Sequence, residues 1–124
     1  MSAVLLAVAT TSAVGQGYPA RPVRILVPFA AGGVADITAR VVSQEMSAAM
    51  GQQILVENRP SAGGIVASEA VAKSDPDGYT LLFLTNGNAV SVSLFKSLPY
   101  DTVGDFAPVS TVGFFDLVLV VDSA

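Results

Sequence analysis

The segment VRILVPFAAGGVADITARV, residues 23–41, contains the pattern from which the fold class is predicted. Its first five residues, Val23–Val27, are mostly β-branched and almost all apolar, which is typical of a buried strand in a parallel sheet. A helical pattern follows over Val34–Met50. Two glycines, Gly32 and Gly33, lie between the strand and the helix. A strand that leads through a short glycine loop into a helix predicts the first unit of an α/β fold.

Spacing divides the predicted helix into two faces. Four polar side chains share one face: Asp36, Arg40, Ser43 and Ser47. Small and apolar side chains line the other face: Ala35, Ala39, Val42, Met46 and Ala49, with Val34, Ile37 and Val41 beside them. This pattern predicts a helix that packs on a sheet through its apolar face.

The rest of the chain continues the alternation of strands and helices. The patterns predict strands at Ile54–Glu57 and Tyr79–Leu84, helices at Ala62–Lys73 and Ala89–Lys96, and two β-like runs at Phe106–Phe115 and Leu117–Val121. Such alternation predicts a sheet with helices on both faces and right-handed crossovers. No covering helix follows the last apolar run, so we expect a domain that is cut within its sheet.

The composition limits the function classes. Hydrophobic residues make up 52% and charged residues 13%, which argues against a disordered chain. The net charge is −4 and the few basic residues are scattered, which argues against a nucleic-acid partner. The absence of Cys and His excludes the usual zinc sites and Cys or His catalysis. We therefore expect a binding protein rather than an enzyme, with no metal and no cofactor.

The first residues, MSAVLLAVATTSAVGQG, form a separate segment. A short apolar run followed by small and polar residues is typical of the later part of a secretory signal, although no basic residue precedes Arg21. The run is shorter than the ~20 apolar residues that a membrane helix requires. We expect a clipped export signal over residues 1–17 and one domain over residues 18–124; an unstructured or weakly helical N-terminal extension is the alternative.

The loop between the first strand and its helix is the first candidate ligand site. It lacks the Lys of a phosphate loop and the third glycine of a dinucleotide fingerprint, and Glu57 alone is a weak match to a ribose ligand. Unpaired N–H groups at a helix start favour an anion, and glycines allow a close approach. The predicted ligand-binding residues here are Phe29, Ala30, Ala31, Gly32, Gly33 and Asp36.

Two of these assignments have structural alternatives. Gly32 and Gly33 also fit a tight strand-to-helix turn that binds no ligand. Asp36 also fits a helix-start carboxylate that accepts hydrogen bonds from first-turn amides and leaves the glycine amides free.

A second polar segment follows the third predicted strand. Thr85, Asn86, Gly87 and Asn88 form an Asn-Gly loop. The carboxyl ends of parallel strands meet at one edge of a sheet, where ligands of open α/β folds bind. Asn side chains both donate and accept hydrogen bonds, which suits a carboxylate or hydroxyl group. We predict these four residues as ligand-binding; a plain turn is the alternative.

Three segments in order resemble a known family: YPARPVRILVPFAAGGVADITARVV, GQQILVENRPSAGGIVASEAVAKSDPDGYTLLF and LPYDTVGDFAPVSTVG. They are similar to the periplasmic solute-binding proteins of tripartite tricarboxylate transporters, also called the Bug receptors. The resemblance implies a periplasmic-binding-protein type II fold, a Venus flytrap of two α/β lobes around a cleft. It also implies capture of a small organic acid for membrane transporter subunits, in the periplasm, by a monomer.

The resemblance also assigns parts of the sequence. The glycine loop and the Asn86–Asn88 loop would form one wall of the cleft, whereas Asn58, Arg59, Gly63 and Gly64 match a segment that we regard as mainly structural. Family members are about twice as long or longer, so the chain corresponds mostly to the first lobe, with the second lobe largely missing. Two other readings stay open: a small nucleotide-binding α/β enzyme, and a non-functional gene remnant.

Overall fold

The computed structural model describes residues 17–114 of the chain. These residues form three strands, three α-helices and one 3-10 turn, in the order β1 Val23–Val27, α1 Val34–Met50, β2 Ile54–Asn58, the 3-10 turn Ala62–Gly64, α2 Ile65–Ala72, β3 Thr80–Leu82 and α3 Asn86–Leu94. The bounds of β1 and α1 are those that the sequence predicts.

The three strands form one parallel sheet in the order β2-β1-β3. The chain crosses from β1 to β2 through α1, and then returns past β1 to β3 through α2. Parallel crossovers are right-handed in nearly all proteins. Because the two crossovers run in opposite directions, they place α1 and α2 on opposite faces of the sheet. The predicted α/β architecture is confirmed.

The core lies between α1 and the sheet. Val23, Ile25 and Val27 point to one face of β1, where they pack with Ala39 of α1 and Ile54 of β2. Their alternation follows the two-residue period of a strand. Each buried side chain of this kind contributes about 1.5–3 kcal/mol to stability. Val27 is the last of these packed side chains in β1, so the strand ends there and the β1–α1 loop begins at Pro28.

The buried and exposed faces of α1 differ from those that the residue spacing predicts. Asp36 and Ser43 are buried, at 3% and 4% exposure, although spacing assigned them to the polar face. Val34, Ile37 and Val41 are more than half exposed. Ala39 and Ser43 are small, so the helix can lie close to the sheet along this line. Asp36 is buried because it is hydrogen-bonded to the loop that precedes the helix.

The later elements shift by a few residues from the predicted bounds. β3 is limited to Thr80–Leu82, and α3 begins at Asn86 instead of Ala89 and ends at Leu94. Thr85–Asn88 is therefore the start of a helix rather than a loop. The second helical region opens as a 3-10 turn, because Gly63 and Gly64 have left-handed φ values of 63° and 71°.

The predicted strand at Phe106–Phe115 is wrong as far as the structure describes it. Residues 106–114 have no regular secondary structure, and they pair with none of the three strands. A strand needs a hydrogen-bonded neighbour, and an apolar sequence alone does not supply one. The run at Leu117–Val121 and residues 1–16 of the export-like segment lie outside the described residues. Within residues 17–114, no helix combines the length and the apolar character that a membrane span requires.

Candidate ligand-binding site

The two predicted binding segments lie at the same edge of the sheet. β1 and β3 are parallel neighbours, and the N–H of Phe83 donates to the carbonyl of Leu26 at 2.9 Å. The strand order changes direction between β1 and β3, which makes this edge a topological switch point. Open α/β sheets bind their ligands at the carboxyl ends of the strands at such a point.

The first segment is the β1–α1 loop, residues 28–33. Pro28 is fully buried, Phe29 is 42% exposed, and residues 30–33 are exposed. Gly32 has a φ of 86°, in the left-handed region that favours glycine. Gly33 is the N-cap residue of α1 with an extended backbone, φ −80° and ψ 169°, and makes no side-chain cap.

Asp36 holds this loop against the helix. Its Oδ2 accepts hydrogen bonds from the N–H of Gly32 at 2.8 Å and from Nε of Arg40 at 3.0 Å. Its Oδ1 accepts from Nδ2 of Asn58 at 2.9 Å and lies 3.0 Å from Nη2 of Arg40. Both carboxylate oxygens are therefore engaged by the protein, and these bonds tie the loop to the helix.

The charge of Asp36 is stabilised by the same partners. Hydrogen bonds from Arg40, then from the Gly32 amide and Asn58, lower the pKa of Asp36 to about 2 from the ordinary 3.8. The carboxylate is thus ionised at neutral pH. The expectation that Asp36 binds first-turn amides is wrong, because the amide that it binds is that of Gly32.

The helix start keeps its own donors free. The N–H of Ile37 donates to the carbonyl of Gly33 at 2.9 Å and begins the helical ladder. Among the described residues, the N–H groups of Gly33, Val34 and Ala35 find no acceptor. Unpaired N–H groups at a helix start carry a partial positive charge and can bind an oxyanion.

The second segment, the start of α3, divides into an inner and an outer part. Asn88 is 1% exposed; its Oδ1 accepts from the N–H of Thr85 at 3.0 Å, and its Nδ2 donates to Oγ of Ser68 at 2.7 Å. These bonds place the predicted ligand residue Asn88 in the interior, between α3 and α2. Asn86 is exposed at the sheet edge and Gly87 is half-buried.

The double glycine of the 3-10 turn joins the two segments. A Cβ on Gly64 would lie 2.9 Å from Cβ of Pro28 and 3.1 Å from Nδ2 of Asn88. A Cβ on Gly63 would collide with Oγ of Ser91, which lies 3.0 Å from the carbonyl oxygen of Gly63. Only glycine allows the β1–α1 loop and α3 to pack this closely around the turn.

Sequence reasoning missed Ser68 and Ser91. Both are fully buried and lie against backbone carbonyls of the glycine turn: Ser68 donates to Gly64 at 3.0 Å, and Oγ of Ser91 lies 3.0 Å from the carbonyl oxygen of Gly63 and 2.7 Å from that of Gly87. A serine four residues after a glycine in an apolar helix is the only sequence signal, and it is weak.

The charged side chains near the edge are paired with one another. Arg24 donates to Glu57 through Nε at 2.7 Å and through Nη2 at 2.9 Å, and Arg59 adds a contact at 3.4 Å. The hydrogen bond from Arg24 lowers the pKa of Glu57. Glu57 is therefore an ion-pair partner within the sheet, which argues against its use as a ribose ligand.

The exposed part of the edge offers backbone N–H groups and one asparagine amide. This donor set suits a carboxylate or carbonyl oxygen. Among residues 17–114, no group of three or more acidic side chains is arranged to hold a metal ion. A groove of about 600 Å³ lies elsewhere, along α3 and residues 95–103. The edge of the sheet that carries the two predicted binding segments is an open surface rather than a groove.

Comparison with known proteins assigns the chain to a family. The model for the tripartite tricarboxylate transporter family receptor matches residues 38–124, more than half of the chain. The chain belongs to this family. The predicted resemblance is confirmed.

A curated relative supports the same assignment. Protein BugT of Bordetella pertussis is 47% identical over 105 residues, which cover 83% of this chain and 32% of BugT. The chain thus spans about a third of the length of this relative.

Two solved structures share the fold. The structure of the periplasmic binding protein BugD superposes with a TM-score of 0.70 at 41% identity, over 73% of this chain and 30% of BugD. MatC from Rhodopseudomonas palustris, solved with bound malate, superposes with a TM-score of 0.66 at 40% identity, over 73% of this chain and 31% of MatC.

Proposed function

We propose that this chain forms one wall of a solute-binding site that captures a small organic carboxylate for a tripartite tricarboxylate-type transporter. The observation that carries the proposal is the meeting of two helix starts at the switch point of the sheet. α1 and α3 both begin there. The N–H groups of Gly33, Val34 and Ala35 at the start of α1 have no acceptor among the described residues, whereas a capping box between Thr85 and Asn88 closes the start of α3 and engages the N–H of Asn88. Each helix start favours an anion by about 0.3–1 kcal/mol.

The proposed contacts divide between the two segments. The N–H groups of Gly33, Val34 and Ala35 hold one carboxylate oxygen, and the exposed amide of Asn86 holds a second polar group of the ligand. Phe29 offers an apolar surface beside them, since it is 42% exposed. The rest of the contact surface comprises Ala30, Ala31, Gly32, Thr85 and Gly87. Asp36 and Asn88 do not contact the ligand in this proposal. They hold the β1–α1 loop and the start of α3 in place.

The proposal includes no catalytic step. The exposed edge carries no free acid, base or activated nucleophile among the described residues, since Asp36 and Glu57 are both ion-paired. It also includes export to the periplasm and transient contact with the membrane subunits of the transporter, because BugD is a periplasmic binding protein. Capture would proceed by closure of two lobes in a protein of the relatives' length.

Malate is the first ligand to test, because MatC holds it. The ¹⁵N-labelled chain is titrated with malate, and the amide shifts are followed by NMR. Malamide, which has no carboxylate, is the control ligand. Two or three charge-assisted hydrogen bonds supply about 4 kcal/mol, which corresponds to a Kd of roughly 1 mM.

The expected result is a saturable shift of Gly33, Val34, Ala35 and Asn86 with malate and no shift with malamide. A Gly33→Val variant should weaken the response by crowding the ligand. Gly113→Val is the matched control, since a Cβ there has open space around it. Equal shifts with both ligands, or shifts confined to residues away from the edge, would contradict the proposal.

A further inference from the structure

Asn58 is the last residue of β2, and its amide group binds three partners. Nδ2 donates to the carbonyl of Phe29 at 3.1 Å and to Oδ1 of Asp36 at 2.9 Å. Oδ1 accepts from Nη2 of Arg40 at 3.1 Å. One side chain thus connects the end of a neighbouring strand to the β1–α1 loop and to the first turns of α1.

These bonds fix the loop at both ends. Asn58 holds the loop's beginning through the Phe29 carbonyl, and Asp36 holds its end through the Gly32 amide. Asn58 also binds Asp36 itself. The carbonyl of Phe29 is therefore paired with the Asn58 amide and makes no hydrogen bond to the free N–H groups of the helix start. A carbonyl oxygen that turned toward those groups would compete with an incoming carboxylate for them.

The chemistry requires an amide at this position. The group must donate to a carbonyl and a carboxylate and must also accept from a guanidinium, and only Asn or Gln does both with one planar group. Aspartate would place a second carboxylate against Asp36. Leucine has a similar size and removes every hydrogen bond, leaving the Phe29 carbonyl without its donor.

We propose that Asn58 is a positioning residue for the carboxylate site: it sets the orientation of the β1–α1 loop and thereby the affinity, without touching the ligand. This inference rests on the proposed function of the edge. It assigns a functional role to a residue that sequence reasoning regarded as structural.

The first arm of the test needs no ligand. In the ¹⁵N-labelled full chain, the amide shift of Gly32 and its hydrogen exchange report the bond to Asp36. Asn58→Leu should speed the exchange of Gly32 by about tenfold. Asn58→Asp should make the Gly32 shift titrate between about pH 4 and 7, because two adjacent carboxylates share a proton. The unsubstituted chain should show no such titration in that range.

The second arm adds malate. Asn58→Leu should weaken malate binding by about tenfold. Gln44→Leu, which removes an exposed amide from the outer face of α1, is the matched control and should change neither arm. If Asn58→Leu does not fold, Asn58→Asp supplies both arms.

The outcomes separate the two claims. Unchanged malate affinity in a folded Asn58 variant, or an unmoved Gly32 amide, overturns the positioning role while the proposed site stands. No malate response in the unsubstituted chain overturns the proposed function, and the role of Asn58 in binding with it. A loss of stability without any change at Gly32 would also overturn the inference, because it marks a purely structural residue.

Discussion

Gly64 offers the most informative single substitution in the fold. Its backbone is left-handed, with φ at 71°, and an added Cβ would lie 2.9 Å from Cβ of Pro28. Gly51, which ends α1, is the matched control: its φ is 65°, and a Cβ there would meet no atom within 4 Å. Alanine at either position must adopt an unfavourable left-handed backbone conformation. Only alanine at position 64 also pushes against Pro28 and displaces the β1–α1 loop.

The expected losses in the free energy of unfolding come from the backbone conformation and, at position 64, from overpacking. A left-handed backbone costs an L-residue about 1–2 kcal/mol. An overpacked core site adds about 1–3 kcal/mol. Gly51→Ala should therefore lower the free energy of unfolding by about 1–2 kcal/mol, and Gly64→Ala by about 2–5 kcal/mol.

Urea unfolding followed by far-ultraviolet circular dichroism measures both variants on one scale. The variant at Gly64 should also shift the amide resonances of Gly33 and Asn86, because Pro28 and Asn88 both contact the added methyl group. Equal losses of stability in the two variants would refute the claim that this glycine joins the two binding segments.

Three further predictions concern α1 and its loop. Gly33→Val should lower the free energy of unfolding by only about 0.5–1 kcal/mol, because valine is a poorer N-cap residue than glycine although the extended backbone and a nearest atom 3.7 Å away leave room for its Cβ, yet it should weaken malate binding in the NMR titration. Asp36→Asn should be less stable than the parent at pH 7. Because the folded pKa of Asp36 is lowered to about 2, the stabilisation is present above pH 4 and is lost as the pH falls toward 2, so urea midpoints of the two proteins should converge there. Ser43→Ala should raise the free energy of unfolding by about 0.5–1 kcal/mol, because the buried hydroxyl has no partner among the described residues and alanine favours a helix; a decrease would contradict this.

The local signals in the sequence were enough for the first half of the fold. Val23–Val27 is β-branched and continuous, and Val34–Met50 is bounded by glycines at both ends, so the strand and the helix were predicted to the residue. The parallel order of these elements was enough to predict that the two binding segments share one edge. The bounds of β1 and α1 depend only on neighbours within a few residues along the chain.

The failures depend on partners that are distant in the sequence. Besides the Gly32 amide, Asp36 accepts a hydrogen bond from Asn58, 22 residues away, and spacing within the helix gives no sign of that second partner. Asn88 faces the interior because Ser68, 20 residues away, accepts from its amide. An Asn-Gly pair favours a turn by local preference. The contacts of Asn88 make it part of a helix instead.

The central claim is that one carboxylate ligand contacts the starts of α1 and α3 together. Intermolecular nuclear Overhauser effects between the methylene protons of malate and the backbone amides of the full chain test it most directly. We expect cross-peaks to the amide protons of both Gly33 and Asn86 in the same sample. Cross-peaks to only one helix start, or to residues of the groove along α3 and residues 95–103, would contradict it.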